Sequence, residues 1–176
     1  MIKNGRIKYT ELARKLKVTP AAVKERVERL IDKKILHVSA LLDNKQFFPV
    51  NATIGIEGDS DAVNTLTRRL RNCPLVFHLT KTAGQHNLIL SIVAEDLVQV
   101  EEFLNKQIRS ETGVKHVEVN IGNQLIVPEF TNIRMFHPPD EEYAPCGLRF
   151  DDEQRCSRCP AWLVKEEMKA NKKAKQ

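Results

Sequence analysis

Residues 7–36, IKYTELARKLKVTPAAVKERVERLIDKKIL, decide how the N-terminal part of the chain folds. Leu12, Ala13 and Leu16 fall at i, i+1 and i+4, which predicts a short helix with a narrow apolar face. Lys17-Val18 makes a turn. Thr19 is placed to cap the next helix through its hydroxyl, and Pro20 suits the first helical position, where no N–H is needed. Val23, Val27, Leu30 and Ile31 recur at i, i+4, i+7 and i+8 and predict one buried stripe. The opposite face carries Ala21, Lys24, Glu25, Glu28 and Arg29. Small residues at the start of a helix allow close approach to DNA, and long polar ones then reach bases and phosphates. The expected motif is a helix-turn-helix.

Charge supports that reading over an ordinary solvated helical hairpin. Residues 1–45 hold twelve Lys or Arg against five Asp or Glu, a net +7, whereas residues 46–133 hold seven against ten, a net −3. Most of the basic charge therefore sits where phosphate binding is expected. The 176 residues allow one large domain or two small ones, and 41% hydrophobic content is enough for real cores. The N-terminus has no apolar signal-like region, and runs such as NLILSIVA are too short to span a bilayer. The expectation is a cytoplasmic protein with no membrane partner. Met1 to Arg6 is too short for the third helix such a domain normally uses, so the first helix reads as truncated or its place as covered by a partner subunit.

Residues 38–50 read as a strand linker, with Val38, Ala40 and Leu42 on one face and Asp43-Asn44 at a turn. Beyond it the periodicity alternates. Asn51 to Glu57 is strand-like. Ala62 to Arg71 is helical, and Cys73-Pro74 stops it. Leu75 to Thr82 and His86 to Ala94 form a hairpin around Ala83-Gly84-Gln85. Leu97 to Ile108 keeps the helical period, Gly113 ends it, and Lys115 to Val127 is a long last strand interrupted at Gly122. The order is β-α-β-β-α-β over residues 51–130, a ferredoxin-like arrangement. The fold class is α+β: a (winged) helix-turn-helix domain over residues 1–37, then this domain, then a small extension over residues 131–176. A four-stranded sheet with helices on one face commonly buries its other face by dimerisation.

NGRIKYTELARKL, TPAAVKERVERLIDKKIL, HVSALLD and the TAGQHNLIL hairpin, in that order, resemble the Lrp/AsnC family of transcriptional regulators over roughly residues 1–130. The resemblance implies a homodimer or higher oligomer that binds double-stranded operator DNA. It also implies a domain that packs sheet to sheet and senses a small molecule, often an amino acid. The effector loop carried over is Gly84, Gln85, His86 and Asn87, where the family often has Gly-x-Tyr-Asp; Asn87 in place of an acid removes a natural partner for an amino group. Lys17 stands where the family's turn often has Gly.

Within the helix-turn-helix, Thr19, Ala21, Ala22, Lys24 and Glu25 are expected at the DNA, with Lys reading guanine and Glu accepting from cytosine. Arg6, Lys8, Lys17 and Arg29 are expected at phosphates. No paired acids, nucleophile–base pair or phosphate loop stands out, so no catalytic residue is expected. The competing readings are a haem-pathway (sirohaem-type) decarboxylase of similar domain order, for which only His86 and Arg68 offer side chains, and a small-molecule or metal-binding module without DNA binding.

The extension carries Cys146-x9-Cys156-x2-Cys159. In a chain expected in a reducing compartment, such cysteines favour metal, cluster or redox chemistry over structural disulfides. A C-x-x-C pair lets two thiolates grip one metal from a tight turn, and Cys146 supplies a third ligand. His137 and Cys73 are the candidates for a fourth, with packing the plainer role for Cys73. Zinc is the default for a closed structural site, while soft thiolates also suit copper(I) or an iron–sulfur cluster. A thiol–disulfide switch and inert thiols are the alternatives. The extension is expected to end in a basic amphipathic helix docking through Trp162, Leu163 and Met168.

Overall fold

The computed structural model describes residues 7–132, 142–151, 153, 156–161, 166 and 170. Contacts divide the chain into two units, Met1–Ala40 and Leu41–Gln176. In the first unit, helix α1 (Tyr9–Leu16) meets helix α2 (Pro20–Asp32) across the Lys17-Val18 turn. Lys17 is left-handed, with φ 55°. A non-glycine residue there costs about 1–2 kcal/mol. Val18 N–H bonds back to the Ala13 carbonyl at 3.1 Å, so the turn closes as a Schellman motif. Thr19 Oγ1 accepts from the Ala22 N–H at 3.2 Å and starts α2.

Ala13, Val23 and Val27 form the small core of this unit, with Leu12, Val18 and Leu36 packed around them. The predicted apolar stripes are only half realised. Leu16 is 57% exposed, Leu30 39% and Ile31 43%. Two helices cover one another along a single seam, and the described residues of this unit contain no third helix to cover the rest. They contain no strand either, so the expected wing is absent among them.

The second unit opens with β1 (Leu42–Asp43) and the one-turn helix α3 (Asn44–Phe47). The βαββαβ core follows: β2 (Val50–Gly58), α4 (Ser60–Leu70), β3 (Val76–Lys81), β4 (Leu88–Ala94), α5 (Leu97–Phe103) and β5 (Val114–Gly122). The sheet order is β3-β4-β2-β5, and every pair is antiparallel. Asp59 and Asp96 cap α4 and α5 by accepting from Ala62 N–H at 2.8 Å and Gln99 N–H at 2.9 Å. Ile54, Ile56, Leu90 and Ile92 from the sheet and Leu66, Leu70, Phe103 and Ile108 from the helical layer are fully buried together. On the opposite sheet face, Thr53, His116, Glu118 and Asn120 are exposed.

Two elements differ from the sequence expectation. The last strand ends at Gly122 rather than Val127, and the chain turns back so that β6 (Phe130–Thr131) pairs with β1. At Gly122 a side chain would meet Asn51 at 2.8 Å, so glycine admits that close approach. The second helix does not keep its 3.6 period either. After Phe103 it widens into a π-helical stretch, Leu104–Arg109. Arg69 of α4 reaches over and donates to the Gln107 carbonyl within that stretch.

The extension belongs to the second unit. Residues 142–150 form a tight hairpin: Ala144 N–H donates to Leu148 O at 2.7 Å, Phe150 N–H to Glu142 O at 3.0 Å, and Tyr143 bridges Arg149. Gly147 sits at its tip with φ 83°, a conformation that suits glycine. Ala144, Phe150 and Ala161 make a small core with Cys146 and Cys159 against it. Anchors to α5 and the π-helical stretch fix the following segment. Gln99 Nε2 donates to Arg158 O at 2.9 Å, Ser157 donates through both N–H and hydroxyl to Glu102, and Arg158 pairs with Asp96. Trp162, Leu163 and Met168 lie outside the described residues.

Candidate nucleic-acid interface and cysteine cluster

The cap and the Val23/Val27 seam fix which way α2 faces. Ala21, Lys24, Glu25 and Arg29 are all exposed, Ala22 is half-buried, and Thr19 stands exposed at the helix start. Lys17 is exposed on the turn, and Lys8 is exposed at the start of α1. Arg6 lies outside the described residues. Two ion pairs run along the exposed face: Arg29 to Glu25 at 2.7 Å and Lys24 to Glu28 at 3.7 Å. A candidate base reader and a candidate phosphate contact therefore hold each other. Such exposed i,i+4 pairs contribute about 0.3–0.5 kcal/mol, little enough for either partner to leave for a phosphate or a base. Arg26, Lys33 and Lys34 are also exposed on or just after α2 and add to the basic surface.

The hairpin loop separates into two kinds of residue. Gly84 and Gln85 are exposed at the tip, and nothing lies within 4 Å of where a Gly84 side chain would begin. His86 and Asn87 turn inward on β2. The Asn87 amide donates to Gly58 O at 2.6 Å and accepts from Gly58 N–H at 3.2 Å, while its own N–H bonds Ile56 O at 2.9 Å. Asn87 is thus a side-chain clamp on the end of β2. The His86 ring lies over Gly55, where a Cβ would come within 2.8 Å of it. It stacks on His116 at 6.2 Å, and Glu118 Oε2 lies 3.4 Å from Nε2 at an angle that makes no hydrogen bond. Ile54 and Ile56 point into the helical layer, so Gly55 and the His86 ring lie on the opposite sheet face. Arg68 is exposed on α4, on the helical side. The sheet thus separates the two side chains that a tetrapyrrole pocket would have to bring together.

The four cysteines come together. Cys73, after α4, lines one apolar cavity of about 20 Å³ with Cys146 of the hairpin tip and Cys156 and Cys159 of the C-x-x-C turn. Pro74, Leu75, Gln107, Ala144, Pro145, Phe150 and Pro160 complete the wall. No disulfide links the four. Cys159 N–H bonds Cys156 O at 3.3 Å, which closes the C-x-x-C turn. Gln107 Nε2 donates to Cys156 Sγ at 3.7 Å, and the buried Gln107 Oε1 has no hydrogen-bond partner. Burial pushes the Cys156 thiol up to about 12, and Cys159, Glu102 and Cys146 act in the same direction. Burial raises Cys73 as well, opposed by the Leu75 N–H directed at its sulfur. Among the described residues, no three His, Cys, Asp or Glu side chains already meet at the spacing of a closed metal shell. His137 lies outside the described residues.

Comparison with known proteins fits both units. The AsnC-type helix-turn-helix domain matches residues 1–31, and the Lrp/AsnC ligand binding domain matches residues 51–127. An uncharacterised HTH-type transcriptional regulator of Pyrococcus furiosus is 34% identical over 111 residues, 59% of this chain and 70% of the relative. The HTH-type transcriptional regulator LrpC of Bacillus subtilis is 30% identical over 117 residues, 65% of this chain and 81% of LrpC. The chain belongs to the Lrp/AsnC family.

Solved Lrp/AsnC structures carry the same fold. E. coli AsnC superposes with a TM-score of 0.62 at 20% identity, covering 72% of this chain and 87% of AsnC. A Neisseria meningitidis regulator solved with L-Met gives 0.63 at 22% identity, covering 70% of this chain and 83% of that one. Cys146, Cys156 and Cys159 lie beyond the segment matched to the Lrp/AsnC ligand binding domain, whereas Cys73 lies within it. Sequence reasoning missed Gln107 and the anchors Gln99, Glu102 and Asp96. They sit on an ordinary amphipathic pattern, and nothing in that pattern announces a π-helical turn or a docked extension.

Proposed function

We propose that this chain is a sequence-specific DNA-binding transcriptional regulator of the Lrp/AsnC type, acting as a homodimer with α2 in the major groove. The observation that carries the reading is the exposed face of α2. Ala21 and Ala22 at its start let the backbone approach the base edges, and Lys24, Glu25 and Arg29 follow on the same exposed surface of a segment with net charge +7. Lys24 donates to guanine, and Glu25, released by Arg29, accepts from cytosine. Arg29, Lys17 and Lys8 take phosphates, and the N-terminal dipole of α2 adds positive potential there. Two-fold symmetry would place two such helices about one DNA turn apart, on near-palindromic sites.

The polar sheet face around Thr53, His116, Glu118 and Asn120 supports the dimer. No helix of its own βαββαβ core packs on that side, and it can pair with a second copy through mutual hydrogen bonds. The reading of the hairpin loop is narrower than the family pattern. Gly84 and Gln85 are available to an effector, His86 offers a ring edge, and Asn87 serves as scaffold. The test is an electrophoretic shift titration on a selected operator. Lys24→Ala should weaken specific binding by about 1–3 kcal/mol and relax one base position, whereas Lys17→Ala should weaken all sequences alike and lower the salt slope by about 1. Unchanged affinity and selectivity in both variants would sink the assignment. Light scattering of the free protein checks the dimer.

A further inference from the structure

We infer that Cys73, Cys146, Cys156 and Cys159 form a four-thiolate site for a single tetrahedral metal ion, zinc, which fastens the C-terminal extension to the βαββαβ domain. The cysteines come from three separate places in the sequence, yet all line one cavity. Random packing of four thiols from a chain with four cysteines in total is a poor explanation for that convergence. The local turns also have the form a metal requires. Cys146 sits beside the left-handed Gly147 at a hairpin tip, and Cys156 and Cys159 share one closed turn. Proline flanks Cys73, Cys146 and Cys159, which stiffens the backbone that presents them.

A side-chain donor already serves one of the sulfurs: the Gln107 amide donates to Cys156 at 3.7 Å. Such outer contacts orient thiolates and spread their charge in known metal sites. The π-helical stretch Leu104–Arg109 contributes Gln107, and Arg69 holds its carbonyl. Single π turns inside helices often mark functional positions. Four cysteine sulfurs are the ligand set that closed tetrahedral zinc sites use. About 20 Å³ holds one water-sized sphere. That accommodates one ion. The four sulfurs line the cavity without already meeting as a closed shell among the described residues, so metal binding would draw them inward. The ion would hold the hairpin, the C-x-x-C turn and the end of α4 together, which suits an extension whose described residues bury a small apolar core, Ala144, Phe150 and Ala161.

The test is a cobalt(II) titration of the full chain, reduced and stripped of metal, with zinc displacement and metal analysis of protein purified without added metal. The site predicts one ion per chain, the intense visible bands of tetrahedral cobalt, sulfur-to-cobalt charge transfer of four-thiolate strength, and complete displacement by zinc. Cys73→Ser should lower the charge transfer to three-thiolate strength and weaken binding more than a hundredfold. Gln107→Ala should weaken it about 10–100-fold with the spectrum unchanged, and His137→Ala should change neither. If Cys73→Ser does not fold, the charge-transfer intensity of the unaltered chain decides between four sulfurs and three. Absence of cobalt binding, a three-sulfur spectrum in the unaltered chain, a brown protein with stoichiometric sulfide, or full-strength binding by a folded Cys73→Ser would each overturn the site.

Discussion

The two units of this regulator obtain their order in different ways. The βαββαβ domain buries large side chains completely, with Ile54, Ile56, Leu66, Leu90, Ile92 and Phe103 all at 0% exposure. Among its described residues the helix-turn-helix unit buries Ala13, Val23 and Val27 and leaves Leu30 and Ile31 exposed. Burial is worth about 25 cal/mol per Å² of apolar surface, so the first kind of core tolerates local imperfections that the second cannot. The small unit depends instead on backbone geometry: a Schellman turn at Lys17, a Thr19 cap and Pro20 at the first helical position. The difference teaches that the surface meant for DNA is carried by the less self-sufficient part of the chain. Its order should respond strongly to whatever covers Leu30 and Ile31.

The largest effect that sharpens this contrast is expected for Leu66→Ala. Leu66 is fully buried where α4 meets the sheet, and the loss should be about 2–5 kcal/mol, read as a large fall in the calorimetric transition of the βαββαβ domain. A loss under ~1 kcal/mol would break the contrast. Asn87→Ala comes next. It strands both polar groups of Gly58, at about 1–3 kcal/mol in the same transition. If chemical denaturation shows no loss while effector response disappears, Asn87 is a ligand contact and the scaffold reading fails.

Val27→Ala removes two methyl groups, about 1.6 kcal/mol before any cavity cost. In a core of three residues that should suffice to abolish DNA binding while leaving the second unit's transition in place. Thr19→Ala removes the cap on α2 and should cost about 1 kcal/mol, with operator affinity falling in parallel. Equal affinity in the two proteins would mean that the cap does not govern the recognition helix.

The smallest effect concerns acid. For Glu102, burial acts to raise the carboxyl, yet the Ser157 N–H and hydroxyl and Lys106 outweigh it and hold the group below its ordinary range. Arg158 and the Gln99 N–H do the same for Asp96. A carboxylate depressed in the folded state contributes stability above its ordinary range and loses it as pH falls through the lowered value. Acidification below the usual carboxylate range should therefore loosen the extension before the sheet. Limited proteolysis across that range would find cleavage near Ser157 rising first; simultaneous cleavage throughout would contradict it.

Much of this molecule was legible in its residues. The Thr19-Pro20 start and the strand and helix runs of the βαββαβ domain are local signals, because a cap or a period of two or 3.6 is set by residues within one turn or strand. The charge split between the two halves needed no coordinates either. The misses are non-local. Leu30 and Ile31 follow a core pattern, but burial needs a covering partner as well as a pattern. Helical periodicity through Leu97–Ile108 hid the π-helical widening, because one extra residue in a turn barely disturbs an amphipathic count. Asn87 looked like a weakened ligand and is a clamp, since only the packing of the hairpin on β2 brings Gly58 to it. The sequence by itself determined the two-part architecture, the family and the presence of a C-x-x-C turn. Tertiary structure alone brought Cys73 to a cavity shared with three cysteines at least 73 residues further along. Spacing along a chain encodes local hydrogen bonding, whereas the meeting of distant thiols is decided by how helices and sheet close on one another.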